Sequence, residues 1–275
     1  MSAPAVAHSP TSTAWSLVRA AHPGPAAAVV TLSVLLAVVA GLGPSRTVLV
    51  ALAVLAGQLS VGWSNDLVDE ARDREVGRGD KPIAAGQLSS SAVRTACAAS
   101  VVAVVVLSFA CGAWAGVVHL LCVASAWTYN LWLKSTAWSW LPYAVSFGGL
   151  VVFVSLAGRP PTLPPWWMPV AAALLGVGAH LLNVLPDLDD DARTGVRGLP
   201  HRIGVRSLPR VATGVLLAAS IVVAVGAGVA RTSSVVALVV VGLLAVVVVT
   251  GRGRLPFVAA IGIALTDVVL LVLAG

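Results

Sequence analysis

Charge is what this sequence has least of. Acidic and basic residues make up 10% of its 275 positions, against about 25% in a soluble domain. So little charge cannot cover a water-exposed surface on a chain of this length, which excludes an ordinary soluble globule. Cysteine is scarce as well. Cys97, Cys111 and Cys122 sit in apolar stretches with no metal-ligand spacing, so they are expected to be small core residues rather than a metal or redox site. The N-terminal stretch lacks a charged region followed by an apolar core, so no cleavable signal peptide is expected. Residues 1–22 are expected to form a cytosolic tail, with an interfacial piece around Trp15 to Ala21.

What fills the chain is hydrocarbon. The composition is 58% hydrophobic and mean hydropathy is +0.96. Runs near the roughly 20 residues that a bilayer crossing needs recur along its length. The pattern predicts an all-α, polytopic membrane protein with nine transmembrane helices, at 25–42, 46–66, 91–111, 113–131, 139–157, 167–186, 211–229, 233–250 and 255–273. Residues 23–275 then form one transmembrane domain, with cytosolic motif loops at about 66–90 and 187–210. With the N-terminus in the cytosol, 14 of the 17 Lys and Arg residues fall on the cytosolic side. Only Arg46, Arg159 and Arg231 fall opposite, as the positive-inside rule requires. The expected location is the cell membrane, with the C-terminus on the far side. The net charge of +6 is thereby explained by topology, and no nucleic-acid partner is expected. Trp127, Trp132, Trp138 and Trp140, and separately Trp166 and Trp167, suit interfacial belts.

The acids are distributed less evenly than the bases. Of 11, six lie between Asp66 and Asp80 and four between Asp187 and Asp191; Asp267 stands alone in the last apolar run. In the first cluster Asn65, Asp69 and Asp73 are spaced i, i+4, i+8. In the second, Asn183, Asp187 and Asp191 repeat that spacing. On a helix each triplet lines one face, with Asp66 and Asp190 beside it. The repeat occurs four predicted helices later, which suggests two pseudo-repeated four-helix units plus a ninth helix. Carboxylates gathered without a base on their own stripe call for a cation. Oxygen-only donors suit Mg²⁺, which is usually bound by a few carboxylates together with substrate phosphates. Arg72, Arg78, Lys81, Lys134, Arg193, Arg197 and Arg202 are the bases near enough in sequence to pair with phosphate. A solvated helix end held by pairs such as Glu70 with Arg74 is the plainer reading of the first cluster alone. Glu70, Glu75, Asp80 and Asp189 are expected to belong to it.

These residues resemble the UbiA superfamily of intramembrane prenyltransferases. Its first signature is read here as "NDLVDEARD" (Asn65, Asp66, Asp69, Asp73), followed by Arg78 and "KPIAAG" from Lys81. The second is read as Asn183, Asp187 and Asp191. "HRIG", from His201, and Tyr129 followed by Lys134 are similar to further family elements. Pro186, directly before Asp187, departs from a strictly helical second motif. The resemblance implies helices around a central cavity and Mg²⁺-dependent ionisation of an isoprenyl diphosphate. Asp69, Asp73, Asp187, Asp191 and Lys81 would be catalytic. Tyr129 and the bases above would bind diphosphate, and Asn65, Asp66, Asp69, Asp73, Asn183, Asp187, Asp190 and Asp191 would hold metal. The prenyl group would pass to an acceptor that the sequence leaves open: aromatic, lipid or another small molecule. Trp63, Trp127, Tyr129 and Phe147 are candidates to face an allylic cation, with packing as the plainer role for each. A terpene cyclase on the same scaffold and a cation-coupled transporter remain as alternatives. His119 and His180 are expected to be satisfied core residues, while Gln58 and Asn130 have open roles. Asp267, expensive at bilayer depth, is expected to face the bundle interior.

Overall fold

The computed structural model describes residues 10–228 and 231–272, and among these every regular element is a helix. The first nine residues of the expected tail, and the ends of the predicted seventh and ninth segments at 229 and 273, lie outside the described residues. The elements are α1 (Pro10–Ala20), α2 (Pro23–Val39), α3 (Pro44–Glu75), α4 (Ser90–Cys111), α5 (Ala113–Leu131) and α6 (Leu141–Leu156). They continue with α7 (Trp167–Asn183), α8 (Leu188–Arg193), α9 (Leu199–Ile203), α10 (Leu208–Gly226), α11 (Arg231–Thr250) and α12 (Leu255–Val272).

Local chemistry sets many of the boundaries. Proline stands in the first turn of α2, α3, α6, α9 and α10, where a missing N–H costs no intrahelical bond. The Ser89 hydroxyl accepts from the Ala92 N–H at 3.3 Å and caps α4. Such caps are typically worth about 1 kcal/mol.

Each of the nine predicted segments overlaps a helix among the described residues. Among the described residues, five helical stretches are long and apolar enough to cross a membrane: α3, α4, the α7–α8 stretch, α10 and α11. The α1–α2 pair, bent by 66°, meets the same test as one unit, while α6 and α12 are shorter apolar helices. The outer faces are greasy, with Val102, Val106, Leu121, Val225 and Leu243 each more than half exposed. That is the reverse of a water-soluble bundle and matches a lipid-facing wall.

Helices adjacent in sequence pack side by side, and α12 returns against both α2 and α7, closing the ring. Two cores hold it. One joins α2, α3, α5 and α6 through Ala37, Val50, Ala115 and Phe153. The other joins α7, α10, α11 and α12 through Leu181, Leu216, Val241 and Ile263. The space between them is a cavity of about 720 Å³.

Candidate active site

The charged segment raised by the sequence is the last three turns of α3 and the loop after it. Asn65, Asp69 and Asp73 share one face and all line the cavity, together with Arg72. Asp66, one position on, does not. About 100° of helical rotation carries it off that face, and it is 2% exposed. Its Oδ1 accepts from Lys81 Nζ at 2.7 Å and lies 3.0 Å from His22 Nε2. Lys81 Nζ is also 2.9 Å from His22 Nε2. Asp66, expected as a metal ligand, thus lies off the cavity and bonded to Lys81, and Lys81 itself lines the cavity. His22 stands at the start of α2. No local sequence signal marks its role, because the bend between α1 and α2 delivers it across 44 positions.

Asp69 is held from two sides, by Lys134 and by Arg72, and Asn65 Nδ2 donates to its Oδ2 at 3.1 Å. Lys134 comes from the short 3-10 turn after α5, with its side chain only 10% exposed. Burial, with Arg72 nearby, pushes its ammonium down to about 7. Asn130 sits behind Asn65. Its Nδ2 donates to Val61 O and Ser64 Oγ, and its Oδ1 accepts from Asn65 at 3.4 Å. Glu70 faces away, pairing with Arg74 at 2.7 Å and accepting from Ser90 Oγ, as a solvated helix surface should.

Arg78 joins the two motif segments. Its Nε and Nη2 each donate to Asp80 at 2.9 Å, and Nη1 donates to Asp187 Oδ1 at 3.1 Å. The Arg78 fork holds the Asp80 carboxyl down to about 2, and the same bonds raise Arg78 above its ordinary value. Asp80 is thus a surface acid, as expected, but one that aims the arginine.

The second segment is not one continuous helix. Pro186 has no N–H for α7 to use, so α7 stops at Asn183, residues Leu185–Asp187 form a 3-10 turn, and α8 restarts at Leu188. The expected i, i+4, i+8 helical stripe is corrected accordingly, yet Asn183, Asp187, Asp190 and Asp191 all still line the cavity. The bases beyond them do not. Arg193, Arg197 and Arg202 are exposed and lie outside the cavity lining; Arg193 pairs outward with Asp190 at 2.8 Å. These three expected diphosphate ligands are turned to solvent by the break at Pro186 and the short α8 and α9. Arg19, His201 and Arg254 line the cavity instead.

Below the charged mouth lies a belt of rings. Tyr129 meets Tyr143 edge-on at 5.2 Å and His180 at 5.5 Å, and Tyr143 stacks on Phe147 at 6.4 Å. All four line the cavity. Trp63 and Trp127 are turned away, donating to Leu17 O at 3.0 Å and Ser60 Oγ at 3.3 Å. They pack away from the cavity, whereas Tyr143 lines it. His119 is a satisfied core residue, bonded to Ser108 at 2.7 Å and stacked on Phe153. His180 is bonded to Ser139 at 3.0 Å, but its buried Nδ1 has no partner among the described residues and its ring forms cavity wall, so it is only half satisfied. Beneath the rings the lining becomes aliphatic, with Leu36, Val151, Ala171, Leu175, Val223 and Ala264.

The mouth suits a hard divalent cation with an anionic ligand. Its donors are carboxylate and amide oxygens, and buried Asp73 Oδ2 has no partner among the described residues. Such oxygen donors suit an ion such as Mg²⁺, which keeps several waters and shares its ligands with substrate phosphates; among the described residues no three His, Cys, Asp or Glu side chains are gathered into a cage.

A helical bundle with a greasy exterior, an apolar chamber and an acid-and-base mouth has the features of a multi-pass membrane protein. The UbiA prenyltransferase family model matches residues 26–256, and the chain belongs to that family. The chain is 29% identical over 181 residues to the bacteriochlorophyll synthase 33 kDa chain of Cereibacter sphaeroides, covering 62% of this chain and 59% of that one. The protein of the same name from Rhodobacter capsulatus is also 29% identical over 181 residues, covering 59% and 58%. The match thus spans less than two thirds of either relative. Among solved structures, a UbiA homologue from Aeropyrum pernix K1 has a TM-score of 0.74 at 18% identity, over 88% of this chain and 94% of that one. A UbiA homologue from Archaeoglobus fulgidus, bound to GPP and Mg²⁺, has a TM-score of 0.68 at 15% identity, over 93% and 99%.

Proposed function

We propose that this membrane prenyltransferase ionises an isoprenyl diphosphate at the cavity mouth and transfers the prenyl group to an acceptor within the membrane. The observation that carries this reading is the meeting of two acidic segments, more than a hundred residues apart, at the mouth of one apolar chamber, with Arg78 bonded to Asp187 across them. Nine membrane-spanning helices, with the mouth facing the cytosol and the C-terminus on the far side, fit the charge distribution. Two four-helix units plus a ninth helix account for the repeated acidic spacing.

In this reading Asn65, Asp69, Asp73, Asn183, Asp187, Asp190 and Asp191 hold Mg²⁺. The ion, when bound, supplies positive charge to the departing diphosphate. Arg72, Arg78, Lys81 and Lys134 pair with the remaining phosphate oxygens and stabilise the charge that develops as the C–O bond breaks. Lys81 keeps its aim through Asp66 and His22. The tail lies in the aliphatic chamber, which keeps water from the allylic cation. Tyr129, Tyr143 and Phe147 present π-faces to it. The acceptor's nucleophilic atom then forms the new bond to the prenyl carbon and loses its proton.

Product analysis tests the proposal. Purified protein in detergent or nanodiscs, given C10 to C20 prenyl diphosphates, Mg²⁺ and candidate acceptors, should yield a prenyl conjugate only when acceptor is present. An acceptor-independent cyclic hydrocarbon or alcohol would make it a cyclase. No product and no diphosphate release at any chain length would sink both enzyme readings and favour a cation-coupled transporter.

A further inference from the structure

Asp267 is the one acid outside the two motif segments, and the proposed mechanism makes no use of it. It lies on α12, on the face that lines the cavity through Phe257, Ala260, Ile261, Ala264 and Val268. Arg254, one residue before that helix, is at the charged mouth. Thirteen residues of helical rise place Asp267 about 20 Å further in. Packing agrees on the direction. Phe257 packs with Leu188 in the core next to the second motif, whereas Leu270 packs with Ala171 and Val223, on the side remote from it. The indole of Trp167, also part of the lining, lies at that end, where any side chain at position 226 would have to go.

The carboxyl is 2% exposed. Its Oδ2 is 3.0 Å from Ser220 Oγ, which is also 3.3 Å from Leu216 O. One hydroxyl has one proton to give, so Ser220 satisfies at most part of this acid. Oδ1 has no partner among the described residues. An acid at bilayer depth is costly, and one shared serine hydroxyl between α10 and α12 offsets little of that cost.

Resting on the prenyltransferase reading, we infer that Asp267 is a specificity-determining residue: it makes the deep end of the chamber polar and so limits the length of the prenyl tail. An isoprene unit contributes four main-chain bonds of roughly 1.5 Å, or about 5 Å when extended. Tails of two or three units stop short of Asp267 and leave room for water to satisfy Oδ1. A tail of four units reaches about 20 Å and covers that oxygen with hydrocarbon, so a buried polar group goes unpaired. Such a loss lowers affinity about 5- to 150-fold.

The test is equilibrium binding of unreactive geranyl, farnesyl and geranylgeranyl thiolodiphosphates with Mg²⁺ to purified full-length protein. The wild type should bind the two shorter compounds more tightly than the longest. Asp267→Leu should tighten the longest by about 5- to 150-fold and leave the shortest within about twofold, while Asp267→Asn, which stays polar, should keep the wild-type order. Wild-type protein that binds the longest as tightly as the others overturns the inference without any variant. So does an Asp267→Leu change that is equal at all three lengths, or absent. Binding of none of them overturns the prenyltransferase reading as well, and that outcome is distinct from a flat length profile.

Discussion

Arg78 serves two carboxylates with one guanidinium. Its fork grips Asp80 through two donors while a third reaches Asp187. Only a planar, multi-donor cation does both; a lysine ammonium is a point charge on a flexible stem. Arg78→Lys should therefore fold normally, yet lower kcat/KM for the prenyl diphosphate about 10- to 100-fold, the range for a lost hydrogen bond to a charged group. Arg78→Ala should lose more. Steady-state kinetics on both variants checks this, and an Arg78→Lys enzyme with wild-type kinetics would remove Arg78 from the phosphate site. At the same scale, the acidic stripe on α3 was legible from spacing alone, because helical periodicity is a local property. The departure of Asp66 from the cavity was not. Its neighbours Lys81 and His22 are brought to it by a loop and a bend, which residue spacing does not encode.

At the scale of elements, α1 acts as a strap across the motif end of α3. Gly62 lets Ala21 come so close that a Cβ there would fall 2.6 Å from the Ala21 carbonyl oxygen. Trp63 Nε1 donates to Leu17 O, and Arg19 donates to Gln87 at 3.2 Å and Asp80 O at 3.0 Å. His22, at the bend, adopts a left-handed backbone conformation with φ 53°, uncommon for a residue other than glycine. Gly62→Ala should lift α1, free Lys81 from His22 and destabilise the protein by about 1–3 kcal/mol. A lowered unfolding temperature in detergent and a raised KM are the expected readouts, and an unchanged melt would show that α1 is not strapped down. The helices themselves were readable as apolar runs of the right length. The ending of α7 was half readable, since Pro186 is visible in the sequence. Its consequence for Arg193, Arg197 and Arg202 was not, because their outward direction depends on how two short helices pack after the break.

The whole molecule is organised by polarity along one axis. Its flanks are aliphatic, its two cores lie on either side of a chamber, and its charge is concentrated at one end. The bias of Lys and Arg that predicted the orientation belongs to this scale, and it is testable without any substrate. The three native cysteines are buried, so background labelling is low. Ala85→Cys, in the loop after α3, should react with an impermeant maleimide only in inside-out vesicles. Thr162→Cys, between α6 and α7, should react only in right-side-out ones. Labelling of both from the same side would contradict the proposed topology.

The central claim is that the two acidic segments act together on a diphosphate. The most direct measurement is inorganic diphosphate release from geranyl diphosphate by purified protein in nanodiscs, with Mg²⁺ or with EDTA, for the wild type, Asp69→Ala and Asp187→Ala. The account predicts release that requires Mg²⁺ and falls by at least about 100-fold in either variant, with expression and thermal stability largely retained. Release that persists in EDTA, or near-wild-type turnover in either variant, would contradict it.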